Sequence, residues 1–74
     1  MNTEGGTASN ILGKNLANMR QKKGLSLRKL ALLADMEHHQ ILNIERGADV
    51  KLSTIQKLAK ALEVPIRDFF EEII

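Results

Sequence analysis

Between Gly24 and Gly47 the chain sets two short apolar-patterned segments almost end to end, each with its own start and stop signals. Gly24 can close a preceding helix, because glycine takes the left-handed conformation without penalty. Ser26 can cap the next helix by accepting from an unpaired N–H of its first turn. That segment carries Leu30, Ala31 and Ala34 before a break near Asp35, and a second runs through Ile41 and Ile44 to Gly47. Helices joined by three or four residues have no room to fold back as an antiparallel pair. They must cross steeply, which leaves the second standing proud of the body.

This arrangement is a helix-turn-helix, and the flanking segments read as helices that support it. Leu12, Leu16 and Met19 line one face of a first helix from about Ser9 to Lys23. Ser53 can cap a fourth, whose stripe is Ile55, Leu58, Ala59 and Leu62. Val64-Pro65 marks a break, and Ile66, Phe69, Phe70 and Ile73 then repeat at i, i+3, i+4, i+7, which predicts a fifth helix. No strand pattern competes. The expectation is an all-α, compact five-helix orthogonal bundle over residues 11–74, preceded by a flexible leader at 1–10.

At 74 residues there is room for one small domain and no deep catalytic cleft, and 43% apolar residues suffice for a single core. Without cysteine there are no disulfides and no thiolate metal sites, which fits a reducing cytoplasm. No apolar run approaches the roughly 20 residues needed to span a bilayer, and the first ten residues lack the charged and apolar regions of a signal peptide. A cytoplasmic protein with no membrane contact is expected.

Charge is unevenly placed. Ile11 to Lys60 holds ten Lys and Arg against four acids, a net +6, whereas Ala61 to Ile74 holds Arg67 against Glu63, Asp68, Glu71 and Glu72, a net −3. A basic body suits a phosphate backbone, and an acidic tail must face away from one.

Two charged residues fall on stripes that should be buried. Arg20 follows Leu16 by four, and Glu45 follows Ile41 by four. A lone buried charge is costly, so the pair is expected to bridge the first and third helices; the alternative is that both snorkel to solvent. At the other end, Ile66, Phe69 and Phe70 suffice to pin the last helix. Ile73 and Ile74 then have no intramolecular need and are expected, with Phe69 beside them, at a two-fold subunit interface rimmed by Glu71 and Glu72.

Gly24-Leu25-Ser26 leading into Leu30-Ala31, then Ile41, Ile44-Glu45-Arg46-Gly47, then Ser53-Thr-Ile55-Gln-Lys-Leu58-Ala59-Lys-Ala61-Leu62-Glu-Val64, resembles the phage-repressor-like, or Xre-type, helix-turn-helix family. The resemblance covers roughly residues 11 to 70. It implies a five-helix fold, binding to a double-stranded DNA operator, and action as a homodimer. The family commonly has an arginine and a glutamate at the positions of Arg20 and Glu45. Its second motif helix enters the major groove, which by resemblance brings Glu37, His38, His39 and Asn43 near base edges. Asparagine can bond an adenine edge bidentately, and a histidine nitrogen can meet a base or a phosphate. At the margins, Gln40 is expected to reach base or sugar and Arg46 a phosphate.

Three departures from the family pattern stand out. Leu27 occupies a position where the family often has a phosphate-contacting glutamine; Arg28 and Lys29 follow it and are expected to supply charge there, with Lys51 and Lys14 as further phosphate contacts. Glu37 would be repelled at the groove entrance, and is expected to cap its helix instead. Leu32-Leu33 replaces the usual exposed polar pair, and either enlarges the core or marks a contact surface.

Neighbouring helical residues point about 100° apart, so His38 and His39 do not form a metal set, and no nucleophile with a base and an orienting partner can be assembled. No metal, cofactor or catalytic residue is expected. The reading is a dimeric, sequence-specific DNA-binding transcriptional regulator, a repressor or autoregulator. The alternatives are the antitoxin of a toxin–antitoxin pair and a protein-interaction adaptor that kept the fold without DNA affinity.

Overall fold

The computed structural model describes residues 8–71. Most of the expected leader, and Ile73 and Ile74, lie outside that range. Four α-helices follow in order: α1 (Ala8–Lys22), α2 (Leu27–Ala34), α3 (His38–Glu45) and α4 (Leu52–Leu62), then a short 3-10 helix, Ile66–Phe69. Thus α1 takes in three residues expected in the leader.

Leu12 and Leu16 of α1, Leu30, Ala31 and Ala34 of α2, Ile41 and Ile44 of α3, and Ile55, Leu58, Ala59 and Leu62 of α4 converge on one core. α3 packs against both α1 and α2, and α4 lies against α2. The approach of α1 to α3 is unusually close. A Cβ placed on Gly13 would lie 2.5 Å from the carbonyl oxygen of Ile44 and 2.9 Å from that of Glu45. Only glycine lets the two backbones come this near.

All four helices stop in the same way. After α2, Asp35 adopts a left-handed conformation, its N–H bonds the carbonyl of Leu32 at 3.3 Å, and the N–H of Met36 reaches back to Ala31 at 2.9 Å. This pair of bonds is a Schellman motif. It recurs after α1 with Gly24 and Leu25, after α3 with Gly47 and Ala48, and after α4 with Glu63 and Val64. Glycine fills the left-handed position twice, at φ 70° and 103°, but Asp35 and Glu63 fill it at φ 56° and 60°.

The starts are less uniform. Ser26 caps α2, its Oγ accepting from the Lys29 N–H at 3.0 Å. Ser53 does not cap α4. That helix begins two residues earlier than such a cap would set, with Lys51 in the N-cap position and its carbonyl accepting the first bonds from Thr54 and Ile55.

The expected fifth α-helix is a 3-10 helix of four residues, so the bundle has four α-helices rather than five. Pro65 sets its start, and Asn15 ties its end to α1. The Asn15 side chain, 4% exposed, donates from Nδ2 to the carbonyls of Phe69 at 2.9 Å and Glu71 at 2.6 Å. Phe69 itself is fully buried against the core, which removes it from the expected subunit interface, while its neighbour Phe70 is exposed.

Candidate nucleic-acid interface

The turn between α2 and α3 is three residues, Asp35–Glu37, and it places α3 across the body with one face sunk in the core. Ile41 and Ile44 are the buried face. His39, Gln40 and Asn43 are exposed and His38 is half-buried. The polar face of α3 is therefore the one available to a ligand.

Arg20 holds α3 in place from behind. Its Nε donates to Glu45 Oε2 at 2.7 Å, Nη2 to Glu45 Oε1 at 3.1 Å, and Nη1 to the carbonyl of Leu25 at 2.8 Å. Both side chains are nearly buried, at 13% and 10% exposure. The hydrogen bond it donates to Glu45 holds the guanidinium pKa above its ordinary value, outweighing the opposing effect of burial. One side chain thus fixes α1, α3 and the turn leading into α2.

At the start of α3, Glu37 occupies the N-cap position with extended backbone, and Gln40 folds back so that its Oε1 accepts from the Glu37 N–H at 3.0 Å. This is the returning half of a capping box, and it answers one of the four N–H groups that a helix start leaves unpaired. The His39 ring lies with Nδ1 3.9 Å from Glu37 Oε1, and the rings of His38 and His39 stand edge to face, 6.1 Å apart.

Two shallow hollows flank α3. One, between α3 and the start of α4, is lined by Gln40, Asn43, Lys51 and Thr54 among others. The second, between α2 and the start of α3, is lined by Arg28, Leu32, Glu37 and His38. Three of the four residues expected to read bases, His38, Gln40 and Asn43, thus share surface with two of the cations expected at phosphates, while His39 lines neither hollow. Lys14, Lys29 and Arg46 are exposed but line neither hollow. Leu27 packs against the core, so the hydrophobic residue in place of a glutamine serves the interior. Leu32 and Leu33 do not enlarge the core; they are 74% and 51% exposed. Among the described residues there is no group of three or more His, Cys, Asp or Glu able to hold a metal, and no helix long and apolar enough to cross a membrane.

Two residues that build this site went unread in the sequence. Asn15 sits between Leu12 and Leu16 on the buried stripe, and a polar residue there signals a bonded interior side chain. Gly13, a glycine inside a helical pattern, signals a close backbone approach.

A packed helix pair joined by a three-residue turn, its second helix pinned from behind and polar in front, is the helix-turn-helix class. The helix-turn-helix family HTH_3 matches residues 16–69. Over 61 residues the chain is 39% identical to the HTH-type transcriptional regulator PuuR of Escherichia coli K12; the match covers 81% of this chain and 33% of PuuR, so the chain spans about a third of that relative's length. Among solved structures, the restriction-modification controller protein C.AhdI from Aeromonas hydrophila superposes with a TM-score of 0.81 at 36% identity, covering 84% of this chain and 96% of that one. The hypothetical transcription factor NHTF from Neisseria superposes with a TM-score of 0.86 at 25% identity, covering 95% and 82%. The chain belongs to the phage-repressor-like, Xre-type helix-turn-helix family, whose relatives named here are transcriptional regulators and controllers.

Proposed function

We propose that this chain is a sequence-specific double-stranded-DNA-binding transcriptional regulator acting as a homodimeric repressor or autoregulator. The observation that carries the reading is the shared hollow beside α3, where Gln40 and Asn43 adjoin Lys51. A base-reading helix needs side chains with donors and acceptors beside cations that neutralise phosphates, and this surface has both.

In this reading Arg28, Lys29, Lys51, Arg46 and Lys14 anchor each subunit on the phosphates, and His38, His39, Gln40 and Asn43 meet base edges. The start of α2 adds backbone N–H groups that face the same strand. Two copies related by a two-fold axis would place their α3 helices in consecutive major grooves about 34 Å apart, and occupancy would exclude polymerase sterically. The subunit contact is assigned to Ile73 and Ile74, with the exposed Phe70 in place of the buried Phe69 beside them.

Selection of bound duplexes from a randomised pool tests the function. The expected result is a motif of two inverted half-sites one helical turn apart, bound more weakly as salt rises. The exposed Leu32-Leu33 pair favours the second reading, a protein-interaction adaptor. An adaptor would enrich no motif and shift no duplex at any salt concentration.

A further inference from the structure

We propose that Gln40 reads DNA as a donor only, and that it selects guanine rather than adenine in the half-site; this rests on the reading of α3 as the base-contacting helix. A free glutamine presents a carbonyl oxygen and an amide nitrogen side by side, which matches adenine: the nitrogen donates to N7 while the oxygen accepts from N6. Gln40 is not free in this sense. Its Oε1 is turned back onto the start of its own helix, 3.0 Å from the Glu37 N–H. The assignment of oxygen to that position is dictated by chemistry, because a backbone N–H needs an acceptor and the amide nitrogen is not one.

The cap orients the whole group. The amide is planar, so holding Oε1 toward Glu37 turns the oxygen end back to the helix start and leaves the nitrogen end as the freer of the two. Nε2, with two N–H donors, has no partner among the described residues. Gln40 is exposed and shares its hollow with Asn43 and Lys51, so those donors lie on the surface that would face DNA. Two donors on one nitrogen suit the paired acceptors N7 and O6 of guanine. On adenine they would meet the N6 amine, donor against donor. Reading adenine bidentately would require either breaking the cap or swinging the second lone pair of Oε1 onto adenine N6 while the first stays on the Glu37 N–H.

Asn43, three residues on, makes no such cap. Its oxygen and nitrogen are both available to a base, so it serves as an internal control on the same helix and lines the same hollow.

The test uses Gln40→Glu. A carboxylate keeps an acceptor for the Glu37 N–H and removes the donors, so helical content and thermal melting should stay close to those of the parent. Bound duplexes are selected with the parent and with Q40E, and each is then titrated against the parent's best operator and the same operator with the implicated guanine changed to adenine. The parent should prefer guanine by about tenfold or more. In Q40E that ratio should fall to one or below, while the other positions of the motif are retained. The added negative charge acts alike on the phosphates of both duplexes, while at the base edge it meets acceptors on guanine and an N6 donor on adenine. A parent that enriches adenine at the position sensitive to Gln40, or a guanine preference unchanged in Q40E, overturns the proposal alone. A parent pool with no motif overturns base reading by α3 and this inference with it.

Discussion

Arg20 grips Glu45 with two parallel hydrogen bonds, Nε to Oε2 at 2.7 Å and Nη2 to Oε1 at 3.1 Å, and so joins α1 to α3. The fork geometry suits arginine and no other cation, because a guanidinium presents two coplanar donors to a carboxylate. Removing either partner leaves the other nearly buried and unpaired. Arg20→Ala should therefore cost about 3 kcal/mol or more, and replacement of both residues by apolar ones should be milder than the sum of the single changes. Additive effects below about 1 kcal/mol in thermal melting would contradict this account.

Gly13 offers a test of opposite sign to ordinary helix chemistry. In an exposed helix Gly→Ala gains roughly 1 kcal/mol. Here the new methyl would press on two backbone carbonyls of α3, at 2.5 and 2.9 Å, and neither can rotate away as a side chain would. Gly13→Ala should destabilise by about 1–3 kcal/mol and weaken DNA binding by displacing α3. A gain in melting temperature would show that the helices separate without strain.

Glu63 should yield a stabilising change. It ends α4 at φ 60° in a position that glycine fills after α1 and α3. Glu63→Gly should raise stability by about 0.5–1 kcal/mol through release of left-handed strain, offset in part by the freedom glycine adds to the unfolded chain. Gly24→Ala, at φ 70° with open space around it, should lose a similar amount from backbone strain alone. Chemical denaturation of the two variants would give shifts of opposite direction.

Asn15 ties the C-terminal segment to α1. Asn15→Ala would strand the carbonyls of Phe69 and Glu71 that its amide now satisfies, at a cost of about 1–3 kcal/mol. Amide exchange around Phe69 and Phe70 should quicken more than exchange in α2 and α3. Uniform change across the chain would mean that Asn15 supports the core as a whole rather than this one junction.

Much of this architecture was legible because local chemistry and tertiary need agree. Gly24 and Gly47 mark stops that only glycine fills comfortably, Ser26 both looks like a cap and acts as one, and the stripes of α1 to α4 are the core. The misses occur where residue type alone does not set the backbone, twice at helix ends and once through a distant contact. Glu63 carries no turn signal, yet it takes a left-handed conformation because the Val64 N–H bonds back to Ala59. Ser53 has the chemistry of a cap, but α4 starts before it. The i, i+3, i+4 spacing of Ile66, Phe69 and Phe70 predicts an α-helix, whereas the segment winds as a 3-10 helix whose Phe69 carbonyl is held by Asn15, more than fifty residues earlier. At the candidate site the residue types were legible. The capping of Glu37 by Gln40, which decides what Gln40 can offer a base, is visible only in the geometry.

The central claim, that α3 reads bases while the flanking cations hold phosphates, is tested most directly by comparing Asn43→Ala with Lys51→Ala on a selected operator and a random duplex across a range of salt. Lys51→Ala should weaken both duplexes alike and lower the salt slope by about one unit. Asn43→Ala should cost about 1–3 kcal/mol on the operator, leave random-duplex binding and the salt slope unchanged, and relax one base preference. Equal loss on both duplexes after Asn43→Ala would contradict base reading by α3.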